Sequence, residues 1–227
     1  MDFDFLSGTE LFRGIASQDI QNLCACLGIY EKVYPKGARI YSVGDVAGDV
    51  GLVLSGAVNI VMNSYWGVSS IFGHMEKGQV FAETYAAIPG RELLCDVIAC
   101  EDSVILFLPM ARAVAPCQKC CAAHLRLLQN LIQISAAKNL HLSNRMMHIA
   151  PRTIRKRLLS YLSAQMMANG SNHFTIPFTR QQLSEYLEVD RSALSHELSK
   201  MQQEGLLKTN KNEFILYSGI EKMGESV

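Results

Sequence analysis

Residues Thr179–Leu207 read TRQQLSEYLEVDRSALSHELSKMQQEGLL, which is the strongest structural signal in the chain. Thr179 is followed three residues later by Gln182, the spacing of a capping box, and this predicts the start of a helix. A short turn over 188–190 then leads to Asp190, whose side-chain carboxylate can cap a second helix. Two helices joined this tightly predict a helix-turn-helix, the motif whose second helix enters the major groove of DNA.

The side chains that these two helices turn outward have the chemistry of DNA contacts. Arginine can form a bidentate pair with guanine, while serine and histidine can exchange hydrogen bonds with base edges or phosphates. The start of the first helix is placed for backbone contacts, because a helix N-terminus attracts phosphate. The predicted DNA-binding residues are Thr179, Arg180, Gln181, Arg191, Ser192, Ser195, His196 and Lys200. A helical hairpin of this kind can instead bind another protein, and the spacing alone leaves that alternative open.

The segment that carries these helices, residues 151–227, also predicts a wing and a slight positive charge. Strand-like runs at 208–209 and 213–217 flank the turn 210–212, which indicates a hairpin. The whole chain has 21 basic and 21 acidic residues, whereas 151–227 has 10 basic and 8 acidic ones. A net charge of about +2 is compatible with phosphate contacts.

Residues 30–108 consist of short β-rich runs separated by glycine. Two of these runs are Gly51–Leu54 and Ala57–Val61, with turn signals at Lys36-Gly37 and Ser55-Gly56. Such signals recur roughly every 8–12 residues, which is typical of an antiparallel barrel or sandwich.

From Pro116 to His148 the chain lacks glycine and shows a heptad pattern, which predicts a long helix that pairs with its own copy. Asn139 falls at an a-type position, where a buried asparagine pair fixes register in two-stranded coiled coils. The predicted seam is Leu125, Leu128, Ile132, Ser135, Asn139, Leu142 and Met146. A helix packed on its own domain is the alternative. Pro151 ends the helix, because proline cannot supply the interior N–H.

These patterns predict an α+β chain in three parts. Residues 1–115 form an effector-sensing β-domain, residues 116–149 a dimerisation helix, and residues 150–227 a DNA-binding domain. The 49% hydrophobic content supports packed cores. The chain has no run of 18 apolar residues and no signal peptide at its start, so we expect a cytoplasmic protein without membrane contact.

The order of these parts, and several short motifs, resemble the CRP/FNR family of bacterial regulators (cyclic-AMP receptor protein and relatives). The motifs are YPKG at Tyr34–Gly37, VLSGAV at Val53–Val58, GQVFAE at Gly78–Glu83 and the helix-turn-helix stretch itself. The resemblance implies a β-roll sensor (a double-stranded β-helix like cyclic-nucleotide-binding domains) and a winged helix-turn-helix. It also implies a homodimer on palindromic double-stranded DNA that regulates transcription, with RNA polymerase as a further partner.

The chain departs from the cyclic-AMP-binding members of that family. In those members a glutamate at the position of Glu83 contacts ribose, and an Arg-Ser pair holds the cyclic phosphate, but Leu93 and Leu94 stand at the Arg-Ser positions here. A phosphate without a cation or hydroxyl partner is uncompensated, so we expect a different, unidentified small-molecule effector of apolar or aromatic character. The predicted effector pocket is Phe81, Glu83, Thr84, Tyr85, Leu93, Leu94 and Cys95. No cofactor is predicted. In the recognition helix His196 replaces a common arginine and Ser192 a common glutamate, so the half-site should differ from the family consensus.

Seven cysteines, an odd number, favour reduced thiols over a disulfide framework. The iron–sulfur members of the family carry their cysteine cluster ahead of the β-roll, whereas the first cysteine here is Cys24, already inside the helical start. Cys117, Cys120 and Cys121 have C-x-x-C spacing at the start of the long helix. They are interpreted as reduced helix-start residues, with a redox-responsive or metal-responsive site as the alternatives.

An enzyme is the least favoured class. A jelly-roll metalloenzyme would need clustered histidines and a carboxylate, but residues 30–108 contain only His74. The chain also lacks a nucleophile triad, a phosphate-binding glycine loop and a metalloprotease motif.

Overall fold

The computed structural model describes residues 1–63, 69–115 and 121–217, so the predicted Cys117 and Cys120 lie outside the described residues. The chain divides into two compact units, Met1–Ala137 and Lys138–Val227. Among the described residues, no helix is long and apolar enough to cross a membrane.

The first unit contains two four-stranded antiparallel sheets, in the orders β1-β8-β3-β6 and β2-β7-β4-β5. The strands are β1 Tyr30–Tyr34, β2 Arg39–Tyr41, β3 Asp49–Ser55, β4 Val58–Asn63, β5 Ser69–Met75, β6 Val80–Phe81, β7 Asp96–Ala99 and β8 Ser103–Pro109. The predicted antiparallel β-roll is therefore confirmed.

An apolar cluster that includes Val53, Phe81, Leu93 and Phe107 fills part of the β-roll. The ring of Phe81 approaches Gly51 so closely that a Cβ atom at Gly51 would lie 2.2 Å from Cζ of that ring. Glycine at this strand position is thus required by the packing rather than by a turn.

The first unit also contains the helices α1 Phe3–Ser7, α2 Ser17–Leu27, α3 Glu83–Ala86 and α4 Met110–Val114, and the first part of α5 Ala122–Ile149. Helix α5 buries Leu127, Leu131 and Ile134 in the core that α2 also contributes to. Asn130, on the same face, is buried and donates from Nδ2 to the carbonyl oxygens of Leu11 at 3.0 Å and Arg13 at 2.9 Å. These contacts fasten the first part of α5 to the rest of the first unit.

The second unit combines helices with a small sheet of order β10-β11-β9. Its remaining elements are α6 Ile154–Asn169, β9 His173–Thr175, α7 Arg180–Tyr186, α8 Arg191–Gln203, β10 Leu207–Asn210 and β11 Glu213–Leu216. The predicted helix-turn-helix and hairpin wing are confirmed, and β9 is an additional strand. Helices α6, α7 and α8 share one apolar core with the sheet.

Candidate nucleic-acid interface

Both helices of the helix-turn-helix begin with the predicted caps. Thr179 Oγ1 accepts a hydrogen bond from the backbone N–H of Gln182 at 3.3 Å, and Gln182 Oε1 accepts one from the N–H of Thr179 at 2.9 Å. Asp190 Oδ1 accepts from the N–H of Ala193 at 2.9 Å and from the hydroxyl of Ser192. The bond from Ser192, followed by the backbone bond from Ala193, lowers the pKa of Asp190. The capping carboxylate is therefore ionised at neutral pH and stabilises the N-terminus of α8.

Two arginines from outside the motif hold the turn between α7 and α8. Arg157 Nη1 donates to the carbonyl oxygens of Leu187 at 2.9 Å and Glu188 at 3.0 Å. Arg145, near the end of α5, donates from Nε to the carbonyl oxygen of Tyr186 at 3.1 Å. The last carbonyls of α7 have no partners within their own helix. The two guanidinium groups donate hydrogen bonds to them and are attracted by the negative end of the helix dipole. Sequence reasoning missed both residues, because each lies some 30–40 positions from its partners.

Helix α8 separates an apolar face from a polar one, as predicted. Leu194, Leu198 and Met201 are buried. The outward residues are all exposed: Arg191, Ser192, Ser195, His196 and Lys200.

Exposed polar side chains of α8 are available to a ligand. Among the described residues, Arg191 and His196 form no side-chain hydrogen bond or ion pair, while Lys200 contributes, after Arg155, to lowering the pKa of Glu204. The serine hydroxyls are partly committed, because Ser192 donates to Asp190 and Ser195 donates to the carbonyl oxygen of Arg191 at 2.9 Å. Their oxygens can still accept hydrogen bonds, which suits amino groups on base edges better than phosphates.

The residues at the start of α7 have different surroundings. Thr179 and Gln181 are exposed, although Gln181 Nε2 donates to Glu185 at 2.6 Å. Arg180 is half-buried: its guanidinium donates to the hydroxyl of Thr209 and lies 5.0 Å from the ring centroid of Phe214. Burial lowers the pKa of Arg180. Arg180 therefore fastens the wing to α7, a role that its position in the sequence did not indicate.

The wing adds positive charge that the sequence analysis did not assign to the interface. Lys208 and Lys211 are exposed, and Lys211 adopts a left-handed conformation with φ of 52° at the hairpin turn. Lysines in and just before a tight turn that follows a helix-turn-helix are the sequence signal that could have identified this positive charge.

The predicted seam residues lie mostly on the exposed side of α5. Leu125 is 60% exposed, Ile132 69% and Met146 67%. Ser135, Asn139 and Leu142 are also exposed, and only Leu128 is partly buried. Another face of the helix packs on its own unit through Leu127, Leu131 and Ile134, and pairing of the exposed face with a second copy stays a prediction.

The structure does not present the predicted effector residues as one open surface. Phe81 and Leu93 are 1% exposed, in the cluster against which Tyr85 also packs, whereas Leu94 is 61% exposed. Glu83 is buried, Cys95 is partly buried and Thr84 is exposed. Burial raises the pKa of Cys95. The positions where the resemblance puts an arginine and a serine are an apolar core residue and an exposed leucine, so these residues do not fit a cyclic phosphate.

The described cysteines give no sign of a thiolate cluster. Burial raises the pKa of Cys24 to about 11, which keeps that thiol protonated. Cys121 is partly buried, just ahead of α5. Among the residues that the structure describes, no group of three histidine, cysteine or acidic side chains could hold a metal ion.

Comparison with known proteins finds two family models along the chain. Residues 31–119 match the cyclic nucleotide-binding domain, and residues 156–221 match the Crp-like helix-turn-helix domain. No curated protein sequence matches the chain.

Solved structures share this fold at low sequence identity. CprK complexed with OCPA is 12% identical with a TM-score of 0.60, over 90% of this chain and 93% of that one. The c-di-GMP responsive global regulator CLP of Xanthomonas campestris is 17% identical with a TM-score of 0.52, over 89% and 100%. A cyclic nucleotide-binding domain from Methylobacillus flagellatus is 17% identical with a TM-score of 0.54, over 66% and 82%.

Proposed function

The chain belongs to the CRP/FNR family of DNA-binding transcription regulators, and from that premise we propose that it acts as a homodimer on a palindromic operator. In this proposal an effector received by the β-roll changes how the two copies of α8 are presented to DNA. The protein then regulates transcription rather than catalysing a reaction, in the cytoplasm and in contact with RNA polymerase, as the family resemblance implies.

The exposed face of α8 is the observation that carries the proposal. Arg191, His196 and Lys200 are exposed, and Arg191 and His196 form no side-chain hydrogen bond among the described residues, while the caps and the arginines around the turn hold the helix in place. A rigid helix that exposes arginine and lysine suits insertion into the major groove. We expect Arg191 to pair with guanine, and His196 to exchange hydrogen bonds with base edges or phosphates.

The apolar face of α5 supports the dimer. Leu125, Ile132 and Met146 repeat every seventh residue together with Asn139, and exposed apolar side chains at that spacing favour pairing with a second copy. Two-fold symmetry would place the two copies of α8 in successive major grooves, roughly 34 Å apart.

The effector is proposed to be a small molecule other than cyclic AMP. Leu93 supplies neither charge nor a side-chain hydrogen bond, and it belongs to the packed apolar cluster of the β-roll. The structural neighbours are described with different small molecules, OCPA for CprK and c-di-GMP for CLP, so the fold alone selects none. We expect isothermal titration with cyclic AMP to give no saturable heat, and tight binding would overturn this part of the proposal.

DNA binding is tested by fluorescence anisotropy of a labelled duplex at increasing salt. Binding driven by phosphate contacts should weaken by about a thousandfold between 50 and 200 mM salt. Lys200→Ala should reduce the steepness of the salt dependence, whereas Lys138→Ala, on α5 outside the helix-turn-helix, should leave it unchanged. Affinity that does not respond to salt would contradict the proposal and favour a protein partner.

A further inference from the structure

One arginine joins helix α6 to the recognition helix α8 at two points. Arg155 Nε donates to Glu197 Oε1 at 2.5 Å. Its two terminal nitrogens donate to the two carboxylate oxygens of Glu204, at 2.7 Å and 2.9 Å. Arg155 and Glu204 therefore form a bidentate ion pair, the strongest geometry between a guanidinium and a carboxylate.

These side chains are partly shielded from water. The exposed fractions are 25% for Arg155, 20% for Glu197 and 33% for Glu204. Partial burial of Arg155 and Glu197 reduces the screening of that ion pair by salt. The hydrogen bond from Arg155 lowers the pKa of Glu204, in agreement with an ionised carboxylate.

Glu197 lies within α8, and Glu204 is the C-cap residue that directly follows α8 and keeps a helical backbone conformation. Glu197 and Glu204 are seven residues apart, which places them on the same stripe of a helix and about 10.5 Å apart along its axis. A planar guanidinium held by both carboxylates resists rotation of α8 about its axis and sliding along it. Glu197 directly follows His196, so a rotation at this anchor would displace the side chains that face DNA.

The same contacts place one guanidinium charge against two carboxylates beside the DNA-facing surface, which offsets one of their two negative charges. Glu197, if released, would stand next to His196 and repel phosphates. Because its carboxylate is held by Arg155, Glu197 is kept away from the bases.

We propose that Arg155 is a positioning residue for DNA recognition, which sets the rotation of α8 so that Arg191 and His196 meet the correct bases. This inference rests on the proposed function, in which α8 reads DNA. An arginine that only stabilised the packing of α6 on α8 would affect folding but not base preference.

The test uses the full chain and compares an operator, selected from random duplexes by the wild-type protein, with a scrambled duplex. Arg155→Met/Glu197→Gln/Glu204→Gln removes the ion pairs that Arg155 forms with Glu197 and Glu204, and it leaves none of the three charges without a partner. We expect its ratio of operator affinity to scrambled-duplex affinity to fall by at least about tenfold, because misplaced helices lose base contacts but keep phosphate contacts. Arg152→Met, which removes an exposed arginine shortly before α6, should leave the ratio unchanged.

Arg155→Lys keeps the positive charge and provides a second variant should the triple variant fail to fold. Lysine cannot span both carboxylates, so the affinity ratio should again fall while the scrambled-duplex affinity stays the same. A wild-type ratio in folded Arg155→Lys or in the folded triple variant would overturn the inference. A wild-type protein with no preference among duplexes would overturn the proposed function itself, and this inference with it.

Discussion

Replacing Ile132 by glutamate should separate two copies of the chain while each copy stays folded. Ile132 is 69% exposed on α5, so its side chain contributes little to the core of a single chain. In the proposed dimer it lies at an a-type position and faces its own copy. The substitution would therefore remove apolar contact from the seam and place two carboxylates against each other.

The magnitude follows from the exposed fraction. Full burial of an isoleucine side chain contributes about 1.5–3 kcal/mol, so burial of the exposed part of two copies contributes roughly 2–4 kcal/mol. At about 1.4 kcal/mol for each factor of ten, the dissociation constant of the dimer should rise roughly 30- to 1,000-fold. Repulsion between the carboxylates adds to this effect.

Sedimentation equilibrium over a range of protein concentrations measures that constant, and circular dichroism checks the fold. Gln133→Glu is the matched control, since Gln133 is exposed on the same helix one position away from the seam. We expect Gln133→Glu to dimerise like the wild type. If Ile132→Glu keeps the wild-type dissociation constant, the face of α5 that contains Ile132 is not the dimer seam.

Three further substitutions test the folded chain by urea denaturation. Burial lowers the pKa of His148, which lies 3.0 Å from the hydroxyl of Tyr186, so the unfolded state takes up a proton first as pH falls. The free energy of unfolding should therefore decrease below about pH 6.5 and stay level above it, and His148→Gln should remove this dependence. Asn130→Ala should lower the free energy of unfolding by about 2–4 kcal/mol, because two backbone carbonyls lose their donor. Gly51→Ala should lower it by about 1–3 kcal/mol, because the added methyl group would overlap the ring of Phe81.

Each of these predictions has an outcome that would contradict it. Persistence of the pH dependence in His148→Gln would refute the role of His148. Gln129→Ala, on the exposed side of α5, should change the free energy of unfolding little. If Asn130→Ala changes it no more than Gln129→Ala does, the two hydrogen bonds of Asn130 do not stabilise the fold. Gly48→Ala has open space around the new methyl group. If Gly48→Ala and Gly51→Ala lower the free energy of unfolding equally, overlap with Phe81 is not the cause of the loss at Gly51.

Local patterns predicted the elements of this chain well where partners lie close in sequence. The capping box of Thr179 and Gln182 and the cap at Asp190 depend on residues three positions apart, and both form as expected. The heptad pattern of α5 grouped residues on one face of the helix, because residues at that spacing share a face. Most of these side chains are exposed in the single chain.

Contacts between distant segments could not be predicted in this way. Asn139 was the asparagine singled out on α5, yet Asn130 is the buried one, and its partners lie 119 and 117 positions away. The contacts of Arg155 with α8 span 42 and 49 positions. Period and composition carry no signal for such pairs, since they depend on how the elements pack.

Leu93 and Leu94 illustrate the same limit at the β-roll. The sequence predicted both in the effector pocket, but the structure buries Leu93 in the core and exposes Leu94. Leu93 lies outside the strands and Leu94 lies in a bend ahead of β7, so no regular period assigned either side chain to the interior.

We propose that two copies of α8 read DNA together through Arg191. Selection of random duplexes by wild-type protein and by Arg191→Ala, followed by sequencing, tests it most directly. We predict that the wild type enriches one inverted repeat with half-sites about 10–10.5 base pairs apart, centre to centre, or a multiple of that spacing, and that Arg191→Ala loses its preference at one guanine in each half. Enriched sequences without two-fold symmetry, or an unchanged preference in Arg191→Ala, would contradict the claim.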